Sequence, residues 1–111
     1  MTFEDLNGGA ASRTVYPTRD AARRAFEGVV GIAANRFFRG ATSLSSEFSM
    51  TRQQTGSYHF EFFTPARNTG FGKRYHQIVN GAGHVLQEFK ETWGPDGLIK
   101  VKWIHGAPDD R

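Results

Sequence analysis

The alternation of apolar and polar residues over 57–105 constrains the fold more than any other feature of the chain. Apolar side chains recur at every second position in "SYHFEFFTP" and "LIKVKWIH", and the same period of two, interrupted by polar residues, runs through "KRYHQIV" and "HVLQEFKETW". A period of two places successive side chains on opposite faces of a β-strand. Loop and turn residues separate these runs in "ARNTGFG", "NGAG" and "GPDG". The pattern predicts a four-stranded antiparallel meander.

An amphipathic helix is predicted before the strands, in "PTRDAARRAFEGVVGIAANRFFRG". Its apolar residues follow at three- and four-residue steps, as in Ala22, Phe26, Val29, Ala33 and Phe37. Thr18 is the expected N-cap and Gly40 the expected stop, so the helix should cover residues 19–38. Gly28 and Gly31 fall inside it, where each costs about 1 kcal/mol relative to Ala, and they indicate a kink or a close approach to the sheet.

The expected fold class is α+β, with this N-terminal amphipathic helix packed on one face of the four-stranded antiparallel meander. The 111 residues fit one domain over 18–108, between a flexible lead-in at 1–17 and a polar tail at 109–111. The Ser/Thr/Gln-rich segment 41–56 joins helix and sheet. Within it, "SEFSMTR" is compatible with a short edge strand.

Composition excludes several classes of function. The absence of cysteine excludes disulfides, thiolate nucleophiles and thiolate zinc sites. No apolar run approaches the ~18 residues that span a bilayer, and "MTFEDLNGG" lacks the regions of a signal peptide. Lys and Arg outnumber Asp and Glu by 14 to 11, which weakly favours a polyanionic partner.

The strand faces predict a polar surface. We expect the helix to cover the aromatic side chains of the sheet, including Tyr58, Phe60, Phe62, Phe89, Trp93 and Trp103. The opposite face is then expected to carry His59, Glu61, Arg74, His76, Glu88, Lys90, Lys100 and Lys102. The second strand can bury either Tyr75 or Arg74, and burying Tyr75 is cheaper because a buried Arg needs a partner. Directly opposed residues lie ~5 Å apart at Cβ, so the two histidines should lie close together.

This set of side chains matches the requirements of metal-independent RNA cleavage. His59 and His76 are the candidate acid and base, and Glu61 is the candidate base or orienting group. Arg74 is the candidate cation that stabilises charge on the phosphate. The substrate-binding candidates are Arg67, Lys73, Lys90, Lys100, Lys102 and His105. No metal or cofactor is expected, because the histidines lack a spacing of the HExxH type.

The segment from Ser57 to Pro108, with runs such as "FGKRYHQIV" and "VLQEFKETWGPDGLIKVKWIHG", resembles the C-terminal toxin domains of bacterial polymorphic and contact-dependent inhibition proteins. Many such toxins look like the barnase, EndoU, colicin and RelE group of ribonucleases. The resemblance implies an endoribonuclease acting on tRNA or rRNA, and an immunity protein, expected to be acidic, as partner. It also implies secretion within a larger protein and delivery into the cytoplasm of a target cell. It assigns no catalytic residue, because these vary between subfamilies.

Two other functions are compatible with the same sequence. One is a non-enzymatic module that binds nucleic acid or protein through its basic face. The other is a ligand-binding cone in which a Phe-lined gap between helix and sheet forms the pocket.

Overall fold

The computed structural model describes residues 12–31 and 33–106, which form a six-stranded antiparallel sheet and two short helices. The elements in chain order are β1 (Ser12–Tyr16), α1 (Arg19–Val30), α2 (Ala33–Phe37) with a 3₁₀ turn after it (Phe38–Gly40), β2 (Ser46–Arg52), β3 (Tyr58–Pro65), β4 (Gly72–Val79), β5 (Val85–Gly94) and β6 (Gly97–His105). Neighbouring strands in the sheet are also neighbours in the chain. Neither helix in this described part is long and apolar enough to cross a membrane. Residues 1–11 and 107–111, including the expected polar tail at 109–111, lie outside the described residues.

The expected four-stranded sheet is therefore wrong, although the mixture of helix and mostly antiparallel sheet remains. β1 lies in the segment expected to be lead-in, and it pairs with β2, which continues the sheet from β3. The side chains of β1 are largely exposed. A short, polar edge strand of this kind has the composition of a loop, because only part of it contacts the core.

The expected single helix over 19–38 is also wrong, because it divides into α1 and α2. α1 begins where the backbone N–H of Ala21 donates to the side-chain Oγ1 of Thr18 at 3.1 Å, which confirms the predicted N-cap. It ends at Gly31, whose φ of 60° is a conformation that glycine adopts without a Cβ penalty. The glycine inside the predicted helix thus breaks it.

A cluster of phenylalanine rings joins the helices to the sheet. The ring centroids of Phe26 and Phe60 lie 4.0 Å apart, and those of Phe37 and Phe62 lie 5.0 Å apart. All four side chains are buried. Complete burial of such a side chain contributes about 1.5–3 kcal/mol to the free energy of folding. Packing of these rings is therefore the main interaction that holds the helices on the sheet.

Pairing register assigns the side chains of β3–β6 to two faces, and we call the one that packs on the helices the helix face. We call the opposite one the His face. Glu61 lies opposite His76, and Tyr75 lies opposite Lys90, so these pairs fix the faces of three strands. The His face carries His59, Glu61, Arg74, His76, Phe89, Glu91, Trp93 and Trp103. The helix face carries Phe60, Phe62, Lys73, Tyr75, Gln77, Glu88, Lys90, Lys100 and Lys102.

The predicted faces of the last two strands are therefore inverted. The expectation that Glu88, Lys90, Lys100 and Lys102 share a face with the histidines is wrong, and so is the expected burial of Phe89, Trp93 and Trp103 under the helix. The buried core draws its strand residues from β2, β3 and β4. The aromatic side chains of β5 and β6 gather on the His face, where Phe89 contacts His76 and Trp103.

Candidate active site

Two histidines on adjacent strands form the centre of the His face. His59 of β3 lies diagonally across from His76 of β4, since the residue opposite His76 is Glu61. The Nε2 atom of His59 lies 2.8 Å from the Nδ1 atom of His76, which is hydrogen-bonding distance. The prediction that the second strand turns His76 toward His59 is thus confirmed.

Glu91 of β5 holds His76 from the other side. Its Oε1 atom lies 2.6 Å from Nε2 of His76 and accepts a hydrogen bond from Nε1 of Trp93 at 3.3 Å. The ring of Phe89 stacks on His76 with centroids 4.5 Å apart. These contacts leave His76 only 7% exposed and hold its ring in one orientation.

The three side chains form a hydrogen-bonded chain, Glu91–His76–His59, in which the protonation of the carboxylate and of the two rings sets the order of donors. An ionised Glu91 accepts from Nε2–H of His76. Nδ1 of a neutral His76 then accepts from Nε2–H of His59. Of the four ring nitrogens of His59 and His76, Nδ1 of His59 is the one without a hydrogen-bond partner among the described residues, so in a neutral ring it can accept a proton from a ligand.

The pKa of His59 favours the neutral ring that this order requires. Burial lowers it below the usual 6.5, and the charge that His76 can carry lowers it further. The nearby carboxylates of Glu61 and Glu91 act in the opposite direction but are smaller effects. His59 is therefore neutral near pH 7, which is the state that a general base requires.

Arg74 supplies a cation beside this chain. Its Nη2 lies 2.9 Å from Oε1 of Glu47 in β2, and its Nη1 lies 3.5 Å from Oε2 of Glu61. The guanidinium also lies over the ring of Phe63, 5.3 Å from the centroid. Its side chain is 24% exposed, so an anionic ligand on the His face can reach it. The predicted grouping of Arg74 and Glu61 with the two histidines is confirmed as geometry.

The same side chains also offer ligands for a metal ion. His59, Glu61 and His76 each present one ligand atom, and these atoms lie within 4.8 Å of one another. Two imidazoles and a carboxylate suit Zn²⁺ or Fe²⁺, and Glu91 would be the outer carboxylate that orients His76. Metal binding would replace the hydrogen bond between the two rings. The helical HExxH spacing does not describe this set, because its ligands come from two strands.

The substrate-binding candidates do not join this site. Lys73, Lys90, Lys100 and Lys102 lie on the helix face, on the opposite side of the sheet. Arg67 is exposed in the loop between β3 and β4. His105 is exposed at the end of β6, where it pairs with Glu88.

Glu91 is the main residue of the site that the sequence pattern did not indicate. It lies between Phe89 and Trp93 at two-residue steps, so it must share their face. Comparisons of the chain with protein-family models, with curated proteins and with solved structures find no match. A functional assignment therefore rests on the geometry of the His face.

Proposed function

We propose that this domain is a metal-independent endoribonuclease and that Glu91–His76–His59 is its proton-transfer unit. The observation that carries the proposal is the pair of contacts of 2.6 Å and 2.8 Å on either side of His76. They make Nδ1 of His59 a base whose positive charge can be shared with His76 and balanced by Glu91. A catalytic base of this kind is the requirement for activating a ribose 2′-OH.

The proposed reaction is an internal transfer of the phosphodiester. Nδ1 of His59 takes the proton of the 2′-OH, and the 2′ oxygen forms a bond to the adjacent phosphorus as the bond to the 5′ oxygen breaks. The departing 5′ oxygen takes a proton from solvent, because both imidazoles belong to the hydrogen-bonded chain that acts as the base and neither is left to act as a separate acid. The products are a 2′,3′-cyclic phosphate and a free 5′-OH.

Neighbouring side chains support binding of the substrate on this face. Arg74 can stabilise the negative charge that builds on the phosphate oxygens. Trp93 and Trp103 are partly exposed and offer ring surface on which unpaired bases can stack. Glu61 and Glu47 hold the guanidinium in place.

The biological setting we propose is that of an antibacterial toxin domain that acts on tRNA or rRNA in a target cell. The resemblance of residues 57–108 to such toxins supports it, together with the net charge of +3. An acidic immunity protein is the partner expected for this domain. A ligand-binding cone is disfavoured, because the rings of Phe26, Phe37, Phe60 and Phe62 fill the space between helices and sheet.

Metal-assisted phosphodiester hydrolysis is a second candidate, favoured by the close approach of ligand atoms on His59, Glu61 and His76. The third is RNA binding without cleavage. These functions differ in their response to chelation.

The test is incubation of the purified domain with total RNA in the presence of EDTA. Discrete fragments ending in 2′,3′-cyclic phosphate are expected, while 2′-O-methyl RNA should stay intact. Cleavage that appears only after Zn²⁺ or Mn²⁺ is added would replace the proposal with the metal-assisted candidate. RNA that stays intact under both conditions would leave RNA binding without cleavage as the remaining candidate function.

A further inference from the structure

Four lysines form a grid on the helix face of the last three strands. Lys90 of β5 lies directly opposite Lys102 of β6. Lys73 of β4 and Lys100 of β6 both lie opposite Thr92. Like charges at opposed positions of a sheet are destabilising, so this grid works against the stability of the fold.

The positive charge of the grid is not compensated within the described part of the chain. None of the four ammonium groups forms an ion pair there. Glu88 shares the same face, but it is 3% exposed and binds Arg36 at 2.9 Å and Gln77 at 3.1 Å. Burial lowers the pKa of Lys90, and its three lysine neighbours lower it further. An anionic partner would relieve this repulsion.

Protection of the sheet edge against pairing with other chains explains only two of the four lysines. Lysines on an edge strand hinder pairing with other chains, and Lys100 and Lys102 are exposed on the edge strand β6. Lys73 and Lys90, in contrast, are partly buried on the interior strands β4 and β5. Their positive charge does not serve an edge and therefore requires another reason.

A recess of about 310 Å³ opens beside Lys90, between the end of the helical layer and β4–β6. Apolar parts of its wall come from Phe37, Tyr75 and Ile104, and positive charge comes from Arg39 and Lys90, while Arg36 and the carboxylate of Glu88, which also line it, pair with each other. Apolar walls with a few placed cations suit a nucleobase and its phosphate.

We propose that the lysine grid and this recess bind the phosphate backbone of single-stranded RNA, on the face of the sheet opposite the active site. Charge complementarity selects a polyanion, and the recess selects one that carries bases. The choice of RNA rests on the proposed function. Because the two faces are separated by the sheet, the grid holds a segment remote from the cleaved bond, and the strand passes around the β6 edge.

The test measures binding of a labelled 2′-O-methyl RNA of about 20 nucleotides, which cannot be cleaved because it lacks the 2′-OH, as salt is varied. The substitutions Lys90→Gln and Lys102→Gln are made together. The control pair is Arg24→Gln with Arg52→Gln, two exposed residues away from the grid that remove the same charge. Each phosphate contact on a single strand contributes about 0.7 to the slope of log K against log salt concentration, so the loss of two contacts should lower the magnitude of that slope by about 1.4. The control pair should leave the slope unchanged.

Equal weakening by both pairs, or by neither, would overturn the proposal. If urea unfolding shows that the first pair loses its fold, Lys100→Gln with Lys102→Gln on the exposed edge replaces it. Tighter binding of poly-glutamate than of RNA would assign the surface to an acidic protein instead. The outcome is separate from that of the proposed function, since lysine-dependent binding of 2′-O-methyl RNA with no cleavage of ordinary RNA would leave this inference standing and refute the ribonuclease.

Discussion

Nε2 of His59 lies 2.8 Å from Nδ1 of His76, and this contact joins the two imidazoles into a single hydrogen-bonded chain. The sequence suggested two residues that divide the acid and base roles between them. Their direct contact instead places them in series, with Glu91 at the far end. Residues that act in series respond to substitution as a group.

Substitution of either histidine should therefore remove most of the cleavage activity. We expect His59→Ala and His76→Ala each to lower the initial rate of RNA cleavage in EDTA by ~10²-fold or more, because the first removes the base and the second removes the imidazole that shares its positive charge. The double variant should lose little more than the worse single variant. His84→Ala, at an exposed position after the β4–β5 turn, is the matched control. Losses that multiply in the double variant would show that the two rings act independently.

Glu91 is a positioning residue, because it acts on His76 and touches no substrate atom. Replacement by Gln keeps its shape but removes the charge that holds the hydrogen on Nε2 of His76. We expect cleavage to fall by about 10²-fold or more, because proton transfer through His76 depends on the tautomer that this carboxylate fixes. Long-range ¹H–¹⁵N NMR should show His76 changing from one tautomer to a mixture. Glu27→Gln, in an exposed pair with Arg23, should change neither quantity.

Local patterns predicted the central part of this fold well. The contrast between Phe60 or Phe62 and the polar His59 or Glu61 identified both faces of β3, and burial of Tyr75 in preference to Arg74 identified those of β4. These strands lie under the helices, so the usual rule that apolar residues face the core applies to them.

The same rule failed for β5, because a sheet wider than its helical layer has aromatic side chains that the helices do not reach. Phe89 packs on His76 instead of the core. That inversion separated Lys90 from the histidines and brought Glu91 to them. A period-two pattern shows which residues share a face, but it does not show how many strands the helices cover. The face on which Glu91 lies could therefore be assigned only from the three-dimensional structure.

Gly83, in the β4–β5 turn, packs against the end of α1, and we expect Gly83→Ala to destabilise the fold. Its φ is 86°, and an added Cβ would lie 2.6 Å from the carbonyl oxygen of Val29. The positive φ alone costs about 1–2 kcal/mol for a residue with a Cβ. Gly81→Ala is the matched control, because its nearest atom would lie 3.5 Å away. Urea unfolding followed by the fluorescence of the two tryptophans measures both, and equal stabilities would contradict the contact.

The low pKa of His59 has causes of opposite sign, so two nearby substitutions should shift that pKa in opposite directions. The ring faces His76 across the strand pair, the carboxylates of Glu61 and Glu91, and Thr51 of β2. Glu61 raises its pKa, so Glu61→Gln should lower the NMR titration midpoint further, while His76→Ala should raise it by removing the charge that His76 can carry.

The same pKa has a consequence for stability. Because it is below 6.5 in the folded state, the unfolded chain binds more protons in the interval up to 6.5. Stability should therefore rise with pH across that interval, and the contribution should disappear in His59→Gln. Cleavage should stay high below pH 6.5 and fall only as the folded His59 is protonated. A midpoint for His59 at or above 6.5 would contradict both its burial and its role as a neutral base.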